Sequence, residues 1–332
     1  MISDIKKEAP EAVNNSALDK STNLNMSKFE DLKKNIVKII KGKEQEIDLI
    51  LSVFFAGGHI LLEDVPGVGK TTLAKALAMS VSCDFKRIQF TPDLLPADIL
   101  GGSVYNANEG SFHFRKGPVF ANVVLADEIN RASPRTQSSM LECMSENQIT
   151  IEGATHILKP PFIVIATQNP VDFHGTYPLP EAQMDRFAAL LSLGYPQPEA
   201  ELNMLLDQKE SHPLESIKPV IDSLELVHLM KLSKTIVVDQ NIAKYIINIV
   251  NKSREDLRLD LGLSPRAAIA MVHCAQSRAM LNNRTYVTPD DVKFLVPYVF
   301  SHRLIPKRKS DKSTTIKKMI MLEILNQVKS PI

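Results

Sequence analysis

The segment Asp64-Val65-Pro66-Gly67-Val68-Gly69-Lys70-Thr71-Thr72 constrains this chain more than any other. It follows the short apolar run Ile60-Leu61-Leu62 and opens a helical pattern, Thr71 to Met79. A loop that binds polyphosphate needs glycines for close backbone approach, inward N–H groups and the positive end of a helix dipole. It also needs a lysine for the β/γ-phosphates and a hydroxyl for Mg²⁺. Pro66, Gly67, Val68, Gly69, Lys70, Thr71 and Thr72 supply this set. One position departs: the pattern GxxxxGK[ST] has glycine where Asp64 stands.

A second segment turns this loop into a site. Val123-Val124-Leu125-Ala126 is an apolar strand that ends in Asp127-Glu128. A carboxylate at the C-terminal end of a strand stands on the rim where open α/β sheets bind ligands. Asp127 is the expected metal ligand opposite Thr71, and Glu128 the general base for an attacking water. Alone, an acid at a strand end is most often a solvated carboxylate. The loop upstream, at a distance that leaves room for intervening strands, makes the pair specific.

Further short apolar runs read as buried strands: Lys86 to Phe90, Phe162 to Ala166 and Ala188 to Leu193. Helical patterns separate most of them, including Pro134 to Met144, so a largely parallel sheet with helices on both faces is expected. Gln148 to Leu158 alternates and turns at Glu152-Gly153, which predicts a β-hairpin. Residues 1–25 are polar and read as a flexible tail; helical spacing begins at Met26. Past Tyr195 every pattern is helical, from Glu199 to Asp207 through Val238 to Lys252, Pro265 to Leu281, Pro289 to Val299 and Thr314 to Val328. The expected division is a tail at 1–25, an α/β core at 26–195 and an all-helical domain at 196–332.

The chain has 332 residues and a net charge of +1, which gives no electrostatic case for nucleic-acid binding. No run of about 18 apolar residues argues for membrane insertion, and no signal-peptide pattern argues for secretion. Three scattered cysteines fit reduced thiols in a cytoplasm. The cluster Lys307-Arg308-Lys309 with Lys312 reads as a solvated loop, and His174 as structural or at a subunit interface.

Three polar residues stand out against their surroundings. Asn169 follows the strand ending Ala166-Thr167-Gln168, where it can bond an attacking water and the γ-phosphate. Arg186 closes Leu179-Pro180-Glu181-Ala182-Gln183-Met184-Asp185. Arg266 opens a helix behind Ser264, the expected N-cap, and Pro265, the expected first helical residue. A lone arginine is most often a surface salt-bridge former.

From about Lys34 onward the chain resembles the MoxR-type AAA+ ATPases. The resemblance rests on Gly58 to Gly67, Gln89-Phe90-Thr91-Pro92-Asp93-Leu94-Leu95-Pro96-Ala97-Asp98 and Gly117-Pro118-Val119-Phe120. Ala126 to Ala132, Ala166 to Pro170, Leu179 to Phe187 and Leu263 to Ala267 complete it. Asp64 in place of glycine is normal for that family. The resemblance implies a five-stranded parallel AAA+ core followed by a helical lid, with ATP and Mg²⁺ between them. It assigns Asn169 as γ-phosphate sensor, Arg186 as a finger acting on the neighbouring subunit's ATP, and Arg266 as second sensor. It sets Ile40 and Gly42 beside adenine. It also implies an insert at Ile99 to Val119 and a hairpin at Gln148 to Leu158 that face a ring's pore in relatives. The implied partners are further copies of the chain in a ring, most simply a hexamer, a von Willebrand A domain protein, and a protein client to be remodelled. The alternatives are a motor subunit of a metal-chelatase-like complex and a nucleic-acid motor of the same clade. A transcription activator would carry Gly-Ala-Phe-Thr-Gly-Ala, which this sequence lacks.

Overall fold

A computed structural model describes residues 15–151, 153–169, 176–199, 201–202, 213–308 and 313–331. Glu152, Pro170, His174, Lys309, Lys312 and most of the stretch read as helical from Glu199 to Asp207 lie outside them.

The strands β1 (Ile60–Glu63), β2 (Phe85–Gln89), β5 (Val123–Asp127), β8 (Ile163–Gln168) and β9 (Ala189–Leu191) form one parallel sheet in the order β2-β5-β8-β1-β9. Two antiparallel hairpins stand outside it: β3 (Gly101–Asn106) with β4 (Ser111–Lys116), and β6 (Gln148–Ile151) with β7 (Ala154–Ile157). The second is the hairpin that alternation predicts; the first is the form taken by the insert. Phe114 of β4 stacks on His156 of β7 with centroids 4.1 Å apart, so the two hairpins touch.

Strand periodicity explains how the sheet is covered. Ile60, Leu62, Val123, Leu125, Ile163 and Ile165 enter one apolar cluster, and Leu61, Val124, Ala126, Val164 and Ala166 enter the other. Helices α1 (Asn15–Ile39), α2 (Glu44–Phe55) and α3 (Lys70–Ser80) belong to the first cluster; α4 (Pro134–Glu146) belongs to the second. The first helix starts at Asn15, well ahead of Met26, so part of the segment read as a tail has helical backbone. Once a helix is nucleated, each added residue gains a backbone hydrogen bond, which lets it run past its apolar face.

The C-terminal region packs onto the first cluster through Leu226, Ile242, Met271, Leu295 and Ile324. Its helices span Ser223–Ser233, Gln240–Glu255, Pro265–Leu281, Pro289–Val299 and Thr314–Gln327. It also carries one short antiparallel pairing, Leu259–Leu261 with Ile305–Pro306. Ser264 does cap its helix, accepting the amide of Ala267 at 3.2 Å, and Pro265 follows at the first position. No helix of the described residues is long and apolar enough to cross a membrane.

Candidate active site

Parallel pairing puts the C-terminal ends of β1, β5 and β8 on one rim. The phosphate loop leaves β1, Asp127 and Glu128 end β5, and Asn169 follows β8 between them. Gly67 and Gly69 take φ of 88° and 89°, the left-handed region that a side chain strains, and Gly69 caps α3. Lys70 Nζ donates to the carbonyls of Asp64 at 2.9 Å and Val65 at 3.3 Å. Its ammonium therefore curls back over the loop.

A cavity of about 350 Å³ joins these parts; Pro66, Gly67, Gly69, Lys70, Thr71, Thr72, Asp127 and Glu128 line it, together with Arg87 and Gln89. Neither of the last two was expected. Both sit on β2, the strand beside β5, with Gln89 in register with Asp127. Arg87 donates through Nε at 3.0 Å and a terminal nitrogen at 2.7 Å to Asp127 Oδ2. Thr167 donates its hydroxyl to Asp127 Oδ1 at 2.6 Å and accepts the amide of Glu128 at 2.8 Å. Glu128 has φ of 57°, uncommon for a non-glycine residue. Its Oε2 accepts Gln89 Nε2 at 2.7 Å and lies 3.4 Å from Arg131 Nε. The sequence signal for Arg87 was polarity on an otherwise sheet-forming stretch, Phe85-Lys86-Arg87-Ile88-Gln89, and Gln89 also opens one of the segments that carry the family resemblance.

A second cavity of about 310 Å³ opens on the other side of the loop, against Ile40, Val68, Thr72, Tyr195 and Pro196. It is the more apolar of the two, which suits a purine base. Ile40 lines it; Gly42 does not, and turns the chain with φ of 70° between the lining residues Lys41 and Lys43.

Arg186 and Arg266 line neither cavity. Arg186 lies just ahead of β9, at the end of the sheet opposite the phosphate loop. Its guanidinium bonds no described residue. The neighbouring Asp185 is tied down firmly: Arg303 Nε donates to its Oδ1 at 2.7 Å, and the Ser264 hydroxyl reaches its carboxylate at 3.3–3.4 Å. Arg186 and Arg266 thus hang from two segments that share one carboxylate.

The donor set fits Mg²⁺, since the Thr71 hydroxyl and Asp127 carboxylate are hard oxygen ligands on one cavity wall. Residues 59–189 match the ATPase family associated with various cellular activities (AAA), and residues 251–319 match the AAA lid domain. The Bacillus subtilis uncharacterized protein YeaC is 47% identical over 298 residues, covering 90% of this chain and 93% of that protein. Chaperone MoxR1 of Mycobacterium tuberculosis is 39% identical over 279 residues, covering 81% of this chain and 74% of that one. The chain belongs to the MoxR family of AAA+ ATPases. The crystal structure of a candidate ATPase from Cytophaga hutchinsonii superposes with a TM-score of 0.87 at 35% identity, over 96% of this chain and 99% of that one. As a MoxR-family member this protein binds nucleotide and is an ATPase, with the five-stranded core and helical lid of its relatives.

Proposed function

We propose that this MoxR-family protein hydrolyses ATP with Mg²⁺ inside a ring of its own copies and uses the cycle to remodel a protein client. The observation that carries this reading is one cavity lined by Lys70, Thr71, Asp127 and Glu128, with Arg186 outside it. Lys70 swings from the carbonyls of Asp64 and Val65 to the β/γ-phosphates. Thr71 and Asp127 hold Mg²⁺, which supplies charge neutralisation at the phosphate oxygens. Glu128 takes the proton of the attacking water, and Asn169 orients that water from the adjacent rim position. Ile40 and the Tyr195–Pro196 wall hold the base. Arg266, on the first turn of its helix, reaches the nucleotide when the lid closes.

Arg186 lines neither cavity of its own subunit and lies ahead of β9, away from the phosphate loop, which supports its use on a neighbour's ATP and therefore a ring, most simply a hexamer. The client-remodelling part draws on the name of the relative Chaperone MoxR1 and on family likeness, which also brings a von Willebrand A domain partner. Sedimentation with and without a non-hydrolysable ATP analogue tests the assembly. Rings formed with the analogue, and a phosphate-release rate per subunit that climbs with protein concentration, are expected. A monomer at all concentrations in both states would sink the reading.

A further inference from the structure

Asp64, the residue that breaks the generic loop pattern, joins the two halves of the site. It is buried, 4% exposed. Its Oδ1 accepts the Ser192 hydroxyl at 2.6 Å and the Gly194 amide at 2.9 Å, and its Oδ2 accepts the Leu193 amide at 2.6 Å. Its backbone stays with the phosphate loop: the carbonyl accepts Lys70 Nζ at 2.9 Å and the amide donates to the Gln168 carbonyl at 3.2 Å. Ser192, Leu193 and Gly194 leave β9 and run straight into Tyr195 and Pro196, and Gly194, Tyr195 and Pro196 wall the more apolar cavity. A glycine at position 64 would supply none of the three acceptor contacts. It would leave two backbone N–H groups, one buried and one part-buried, to find other partners.

We propose that Asp64 is a positioning residue that fixes the Gly194–Pro196 wall of the base cavity against the phosphate loop, so that nucleoside and polyphosphate are gripped as one ligand. This rests on the reading that the two cavities hold those two halves of ATP. Three short hydrogen bonds converge on this one side chain, so the wall needs no ordering when the base arrives. Preorganisation of this kind raises affinity for the whole nucleotide without touching either half's contacts.

The test is isothermal titration of the full chain with a non-hydrolysable ATP analogue and, separately, with inorganic tripolyphosphate, both with Mg²⁺. Asp64→Gly, which completes the GxxxxGK[ST] pattern, is expected to weaken analogue binding by about tenfold, ~1.4 kcal/mol. Tripolyphosphate affinity stays at the wild-type value, because the loop glycines and Lys70 are untouched. In turnover the loss appears in KM ahead of kcat. Ser192→Ala removes one donor and keeps both amide contacts; it shifts the analogue-to-tripolyphosphate ratio the same way by a smaller factor. In the Asp64→Gly background it adds nothing, since the contact is already gone. Unchanged analogue binding in Asp64→Gly overturns the proposal, and so does an equal loss for both ligands, which would mean that Asp64 only shapes the loop. If Asp64→Gly does not fold, the ratio measured in Ser192→Ala decides. Wild-type protein that binds neither ligand overturns the underlying site reading instead.

Discussion

Arg87 and the metal-binding candidate Asp127 meet at a single oxygen, Asp127 Oδ2, which takes two guanidinium N–H bonds at 3.0 and 2.7 Å. A cation arriving at Asp127 must contend with this fork, because the other oxygen is already held by Thr167. Removing the positive charge favours a second cation on the same carboxylate. Arg87→Ala is therefore expected to lower the Mg²⁺ concentration for half-maximal ATPase activity by about 1.5- to fivefold, the span of a surface-accessible ion pair's ~0.2–1 kcal/mol. A magnesium titration of the phosphate-release rate measures it. A higher Mg²⁺ requirement in the variant would show that Arg87 helps to hold the metal complex rather than competing with it.

Lys70 and Glu128 line the same cavity, and the proposed mechanism uses them at different stages. Lys70 meets the phosphates in the ground state, so Lys70→Ala is expected to abolish ATP binding in isothermal titration. Glu128 acts on the attacking water alone, so Glu128→Gln keeps binding and loses turnover, by the ~10²–10⁴-fold that a general base supplies. Wild-type turnover in Glu128→Gln would remove it from the base role.

A finger serving the next subunit has a distinctive genetics. Arg186→Ala is expected to leave nucleotide affinity near the wild-type value while cutting turnover by about 10³-fold or more. Mixed with Lys70→Ala subunits, it regains activity, because some intact phosphate loops then face intact arginines. ATPase rate against mixing ratio, after subunit exchange, is the measurement. Two inactive endpoints joined by a flat line would refute the trans-acting role.

His59 gives the fold an acid-sensitive point away from the site. Its Nδ1 accepts the amide of Val164 at 3.0 Å and its Nε2 donates to the carbonyl of Met144 at 3.0 Å, so the neutral ring is the one that fits. Burial pushes its pKa down from 6.5 to about 4, against a smaller opposing effect of the Met144 carbonyl. The sign follows: the unfolded chain takes up a proton below pH 6.5 that the folded chain refuses until about pH 4. Stability from this group is full above pH 6.5 and lost as the pH falls toward 4, an order of about 3 kcal/mol in total. Denaturant midpoints between pH 7 and pH 4 should fall less steeply in His59→Gln than in wild type. Parallel pH curves would assign the acid sensitivity to other groups.

The sequence carried the fold because its strands are buried on both faces and its loop chemistry is local. Ile60-Leu61-Leu62 needs a wall on each side, and Pro66 to Thr72 needs only its own backbone. Arg87, Gln89 and the linking role of Asp64 were not legible, for a physical reason. Each works across strands or across the core, and pairings such as Gln89 with Asp127 or Asp64 with Leu193 exist only once the register is set. Gly42 shows the same limit from the other side: it sits beside the cavity wall without lining it and makes the turn between Lys41 and Lys43.

The stacking of Phe114 on His156 has a practical consequence for protein engineering. The β3–β4 hairpin is anchored near its base by that ring pair, while residues 107–110 at its tip are exposed and belong to neither strand. Exposed tips held by a fixed base are where chains accept grafted sequence. A peptide tag or fluorophore inserted between Asn108 and Glu109 would sit far along the chain from Lys70, Asp127 and Arg186. It would turn a surface projection into a spectroscopic handle that shares no residue with the phosphate cavity.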